Sequence, residues 1–480
     1  MAEAQRGHAD RWTILRVSMC VTFMSLLDVT IVNIALPSIR DAFDTGAAQL
    51  QWIISGYALA FGLLLVTGGR LGDALGRRRL MTIGVAGFTI SSLACGLAPT
   101  MAVLIAARFV QGASAGLMVP QNTGLIQSNF TGAERGRAFG YMGAVVGVSS
   151  SIGPVLGGVL IGAAGETNGW RLIFLVNVPI GAMLLFFIRR YIPGGSAESR
   201  RPDIDIVGAV LLGLTVLTIL YPISSVEQGF TWQFAIIAAA PVLAVAWAIW
   251  ERRLITRGRE PLLNIPLLRV TPGYATGMTI GLLYFCGYTG VLLVYSIYLQ
   301  TGLGYSAVRA GLFITPFAAA SAIAAPIAGR LVARLGRATT LYALGLLMFG
   351  LALAAIGIPL AEGTAWSIPV QVITMAIAGL GAGAVVGPNM TMTLSHVPPR
   401  MGGAAGAAVQ TAQRCGNAIG AATLLLIYTR TVADGGAPGT SLRAVWIVSI
   451  AFAAAAFAVA VRDLRTPAKT KEPKAVEPAG

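Results

Sequence analysis

Three ionisable side chains lie deep inside long apolar runs: Asp28 within 15–37, Arg108 within 101–126 and Arg414 within 404–429. A charge at membrane depth is costly and rarely faces lipid. Burial disfavours an ionised carboxyl, and a nearby cation favours it. That competition lets an acid such as Asp28 take up and release a proton; the plainer alternative is a carboxylate that only pins helices together. Counted at about 1.5 Å per residue, Asp28 and Arg108 come to similar depth, each roughly 10–14 Å below the outer end of its run. The two are expected to face one cavity and to approach each other, with Arg108 either moving protons or bracing helices through carbonyl bonds. Arg414 stands between polar neighbours, in AVQTAQRCGNAIG, and either binds an anionic group or braces its helix. Asn33, Gln111, Gln410, Gln413 and Arg414 are candidates to line a cavity for a small molecule. One acid and two bases in the interior lean towards neutral, zwitterionic or acidic ligands.

The elements that hold these residues follow from composition. Of 480 residues, 56% are apolar and only 11% charged, against roughly 25% charged in a soluble domain. Mean hydropathy is +0.75. Repeated apolar runs of about 20 residues read as membrane-spanning helices. Fourteen are expected, in an all-α polytopic protein: a tail at 1–14, a six-helix bundle at 15–192, two inserted helices at 204–250, a second six-helix bundle at 273–462, and a disordered tail at 463–480. An even count puts both termini on one side. With that side inside, 27 Lys and Arg fall in inner segments and 5 in outer ones, a strong positive-inside signal. The expected location is a bacterial inner membrane, with both termini cytoplasmic.

The chain also repeats itself. GRLGDALGRRRL (69–80) and GRLVARLGRATT (329–340) match at six of twelve positions, at an offset of 260. GASAGLMVP (112–120) resembles GLGAGAVVGP (379–388), and GPVLG (153–157) resembles GNAIG (416–420). Two parallel six-helix halves with an insertion between them are the architecture of secondary transporters, with the ligand site at the bilayer midplane between the halves. In the first loop copy, Gly69 and Gly76 permit close helix approach or a tight turn. Asp73 is placed to cap or pair with a neighbouring helix end, beside Arg77. Ala333 stands at the equivalent of Asp73, so any latch is expected to be one-sided. Gly153, Pro154, Gly157 and Gly158 interrupt a span and suit a hinge, a seal or plain helix packing.

These motifs, with LDVTIVNIALPSI (27–39), RFVQGASAG (108–116), SIGPVLGG (151–158) and WRLIFLVNVPIG (170–181), resemble the major facilitator superfamily, specifically its fourteen-span drug:proton antiporter family. The resemblance covers nearly the whole chain. It implies proton-coupled efflux of small amphiphilic compounds, drugs or antibiotics, by alternating access. Asp28 and Arg108 would serve proton coupling, Asp73 and Arg77 gating, and the 153–158 segment the antiporter motif. Proton-coupled uptake or lipid transport by the same fold is the alternative. The implied partners are a small-molecule substrate, protons and the lipid bilayer, with no nucleic acid, no cofactor and a monomeric state.

Other classes fit poorly. Bases recur between apolar runs instead of clustering on one face, which argues against nucleic-acid binding. Cys20, Cys95, Cys286 and Cys415 form no CxxC spacing, and the two histidines, His8 and His396, are far apart, so no metal site is expected. Neither an HExxH motif nor paired mid-span acids are present to support an intramembrane enzyme. Asn177 and Pro179 are read as helix-shaping, and Asp203 and Asp205 as caps or headgroup contacts. Trp52, Tyr57, Tyr284, Tyr288, Tyr295 and Tyr298 are read as packing or interfacial anchors.

Overall fold

The computed structural model describes residues 2–165, 168–194, 205–224, 232–259, 261–262, 270–305 and 307–465. These residues are helical almost throughout. The first half contains α1 (Ala2–Phe43), α2 (Ala47–Leu75), α3 (Arg77–Gly96), α4 (Met101–Asn129), α5 (Gly132–Ala164), α6 (Gly169–Leu175) and α7 (Asn177–Tyr191). Two further helices, α8 (Ile206–Ser224) and α9 (Ala239–Thr256), precede the second half. That half contains α10 (Tyr274–Ile297), α11 (Ala307–Leu335), α12 (Ala338–Ala361), α13 (Ser367–Thr393), α14 (Gly402–Ala433) and α15 (Pro438–Arg465).

Eleven of the described helical stretches are long and apolar enough to cross a membrane, against the fourteen expected. The chain is a multi-pass membrane protein. Residues 170–188 lie within one membrane-crossing stretch, Gly169–Tyr191, in which α6 ends and α7 begins at Val176, and Asn177 opens the second helix. Helix α15 runs to Arg465, so the first three residues assigned to the C-terminal tail are helical; 466–480 lie outside the described residues. The expected caps divide likewise. Asp205 accepts from the Gly208 amide at 2.8 Å and opens α8, whereas Asp203 lies outside the described residues.

Each half has its own interior. In the first, α4 packs on α2 and α3, and α1 on α5; in the second, α13 packs on α11 and α12, and α14 on α10. Between halves, α5 lies along α11 and α2 along α14. Helix α8 packs on α2 and reaches α14 beside it, with Val216 against Leu59 and Ala418 alongside. Tyr295 and Tyr298 are buried and stacked in the second half's core, beside Trp446. Tyr284 and Tyr288 stack in the same core.

The halves join closely at the end that carries the arginine-rich loops. An apolar cluster there mixes Leu15, Ile126, Phe130 and Phe139 of the first half with Tyr274, Met390, Leu394 and Val409 of the second. Helices α5 and α11 cross where two glycines meet. A Cβ on Gly136 would stand 2.5 Å from the Gly329 carbonyl oxygen, and one on Gly329 would stand equally close to that of Gly136. Backbone-to-backbone contact of this kind tolerates no side chain, and overpacking typically costs about 1–3 kcal/mol. Gly329→Val is therefore expected to lower the thermal unfolding midpoint of the purified protein. Gly311→Val, on the same helix with nothing within 4 Å of its Cβ position, is expected to leave it unchanged.

Candidate functional site

Asp28 is fully enclosed. Its Oδ2 accepts from Arg108 Nη1 at 2.6 Å. Its Oδ1 accepts from Gln111 Nε2 and from Asn177 Nδ2, each at 3.0 Å. Arg108 also donates to Gln111 Oε1 at 2.7 Å and to the Ile53 carbonyl at 3.1 Å. Asn177 also donates to Ser92 Oγ at 3.1 Å, and Ser92 donates to the Phe174 carbonyl at 2.9 Å. One carboxylate thus ties together α1, α4 and α7, and reaches α2, α3 and α6 through its partners. Helix geometry explains the match: Arg108 and Gln111 are three apart, hence on one face of α4. The break at Val176 places Asn177 at the first position of α7.

The sequence brought Asp28 and Arg108 together correctly, but their surroundings differ from an open cavity. Both are sealed inside the first half, at 0% and 2% exposure. Gln111, expected to line a cavity, is part of this sealed cradle. Asn177, read as helix-shaping, is a direct partner of the carboxylate; nothing in its spacing from Asp28, 149 residues away, could have signalled this. The link from the pair towards the other half is Tyr57. Its ring lies 4.4 Å from the Arg108 guanidinium carbon, and its hydroxyl is 3.1 Å from Ser25 Oγ. Arg414 of α14 stands nearby, its guanidinium carbon 3.9 Å from the Phe61 ring centroid.

The remaining candidates are placed as follows. Gln410 donates to Thr123 Oγ1 at 2.9 Å, across the two halves. Gln413 stays within the second half, 3.8 Å from Met390 Sδ. Asn33 is exposed on α1. Trp52 stacks on Phe109 and meets Tyr221 of α8. Gly153 and Gly157 face Thr30 and Ile31 of α1, so this segment packs two helices of the same half. Gly158 faces open space, and the Pro154 side chain lies outside the described residues.

The loop after α2 does cross between halves. Asp73 accepts from the Gly403 amide at 3.3 Å and the Ala404 amide at 3.0 Å, in the first turn of α14. These donors have no partner within their own helix, and the helix dipole favours a carboxylate there. Arg77 bonds Asp73 at 2.9 Å and the Pro399 carbonyl at 2.8 Å, and also donates to the Gly124 carbonyl. Gly76, at φ +95°, makes the turn, and Gly69 comes so close to α14 that a Cβ would stand 2.5 Å from the Gly403 oxygen. Gln127 adds a bond to the Leu394 carbonyl at 2.8 Å.

The second copy is wired differently. Arg337, equivalent to Arg77, pairs with Asp463 at 2.7 Å near the end of α15, and bonds Asn389 at 2.9 Å and the Gly273 carbonyl at 3.2 Å. Burial pulls its guanidinium below its ordinary range, and Asp463 opposes this. The acid missing at Ala333 is supplied from the last helix of the same half. The motif matches could not find it, because Asp463 lies outside all three of them.

Two helical halves, a buried acid–base pair and a loop that fastens one half to the other fit a membrane transporter of the facilitator type. The Major Facilitator Superfamily model matches residues 18–421, and the chain belongs to that superfamily; it is a transporter of small molecules and not an enzyme. Among similar proteins is the "Probable actinorhodin transporter" of Streptomyces coelicolor, 36% identical over 88% of this chain and 73% of that one. Another is the multidrug resistance protein Stp of Mycobacterium tuberculosis, 34% identical over 84% of this chain and 73% of that one. The crystal structure of the human organic anion transporter MFSD10 shares the fold, with a TM-score of 0.66 at 16% identity, over 92% of this chain and 99% of that one.

Removing one member of a buried pair leaves an uncompensated charge, which typically costs about 3–5 kcal/mol. Arg108→Gln should accordingly destabilise the protein strongly in thermal melts. The double variant Asp28→Asn with Arg108→Gln should recover most of that loss, since no buried charge is left unpaired.

Proposed function

We propose that this chain exports small amphiphilic compounds, drugs or antibiotics, in exchange for protons, by alternating access, as a member of the fourteen-span drug:proton antiporter family. The observation that carries the reading is the enclosed Asp28–Arg108 pair. A proton on Asp28 removes the negative charge that holds Arg108. The guanidinium then keeps only neutral acceptors, Gln111 and the Ile53 carbonyl. Tyr57, against the same guanidinium, passes the change towards the seam between halves. The names of the relatives, an actinorhodin transporter and a multidrug resistance protein, support the substrate class and the outward direction.

In this reading α5, α8 and α14 supply three further spans beyond the eleven. At 33, 19 and 32 residues, each falls at or above the roughly 17–25 residues that a transmembrane helix takes. Both termini lie in the cytoplasm of a bacterium, the chain works as a monomer in the inner membrane, and the proton gradient is the only energy source. Asp73 and Arg77, bonded across to α14, hold the cytoplasmic end shut, so the molecule is poised to open outward.

The test is drug sensitivity in an exporter-deficient bacterial strain expressing the protein. Resistance to at least one compound is expected, abolished by a protonophore and lost in Asp28→Asn. Unchanged resistance in Asp28→Asn would remove this carboxyl from the coupling. Proteoliposomes with an imposed pH gradient separate export from uptake by the direction of substrate movement.

A further inference from the structure

Arg77, Arg108 and Arg337 each meet a carboxylate, at Asp73, Asp28 and Asp463. Arg414 meets none. It lies twelve residues into α14, about 18 Å along the helix axis and so near mid-membrane. Among the described residues its guanidinium has neither a hydrogen-bond acceptor nor an ion-pair partner; it lies over the Phe61 ring across the seam, 3.9 Å away. A bracing arginine would spend its donors on backbone carbonyls, as Arg171 does on those of Gly96 and Ala98. Arg414 keeps all five donors unspent, and its side chain is only half-buried.

The stretch around it is polar, between an Ala- and Gly-rich first pair of turns and a mostly aliphatic run from Ala418 to Ile427. Gln410, Gln413 and Asn417 lie within one turn on either side. Gln410 reaches Thr123 of the first half, and Asn417 pairs with Thr289 of α10. The guanidinium thus sits where the two halves meet, within electrostatic reach of the Tyr57 hydroxyl. Away from bulk water, a cation with a free planar fork of donors favours an anion of matching planar geometry.

We propose that Arg414 is the recognition point for the carboxylate group of the transported molecule, which makes organic acids the substrate class. This rests on the export reading for its biological role, but not for its test. The substrate's carboxylate would take two guanidinium N–H bonds, neutralise the one unpaired charge described at this depth, and draw α14 and α2 onto the ligand from opposite halves.

The experiment uses full-length protein in lipid nanodiscs, with anthracene-9-carboxylate and its methyl ester as fluorescent probes of equal shape and different charge. The wild type is expected to bind the acid about tenfold or more tighter than the ester. Arg414→Gln should erase that preference. Arg414→Lys, which keeps a charge but loses the fork, should retain part of it and guards against a folding defect in the Gln variant. Binding is read at equilibrium with no pH gradient imposed, so a failure of proton coupling stays separate from a failure here. Equal affinities for acid and ester in the wild type, an undiminished preference in Arg414→Gln, or no binding of either probe would overturn the proposal.

Discussion

A carboxylate inside a lipid bilayer is tolerated only if something takes up its charge, and in this protein that constraint organises a whole half of the molecule. Asp28 accepts from three side chains on two other helices, and those partners reach three more helices. The low dielectric that makes a lone buried charge so costly also strengthens each of these bonds. Helices α1, α2, α4 and α7 are therefore held to one another by a polar centre as well as by apolar contact. Apolar packing in a membrane has no water-driven preference for one helix partner over another. A shared carboxylate supplies that preference.

The two halves are held to each other by quite different means. Close backbone contact between α5 and α11, an apolar cluster, and five hydrogen bonds from Asp73, Arg77, Gln127 and Gln410 fasten one end. None of these bonds uses the Asp28 centre. The polar centre at Asp28 and the region that fastens the halves are separate, and between them lie Tyr57 and Phe61 on α2 and Arg414 on α14. A signal from one to the other would be mechanical, carried by the tilt of α2, which touches both.

Much of this was legible in the sequence because membranes constrain composition so tightly. The helical character, the repeat at an offset of 260, the meeting of Asp28 with Arg108 and the docking of Asp73 on a helix start all followed from hydropathy, depth counting and motif spacing. What escaped were partners fixed by tertiary geometry alone. Asn177 is an ordinary amide in an apolar run until α6 ends and α7 begins at Val176. Gln111 looked like a cavity residue because a polar side chain at mid-depth gives no hint of which way its helix is turned. Asp463 sits outside every repeat match, at the end of the last helix, and only folding brings it to Arg337.

The second loop copy carries a consequence for how fast the molecule can cycle. Had both copies kept their acids, two carboxylates would cap helix starts in the opposite half, and every excursion to the other state would have to rupture two such clasps at once. By turning Arg337 inward, onto Asp463 of its own half, the chain leaves a single clasp to be broken while stiffening the unit that moves. Lost symmetry between the duplicated halves thus leaves one carboxylate clasp between them in place of two, with an internal tie in its stead.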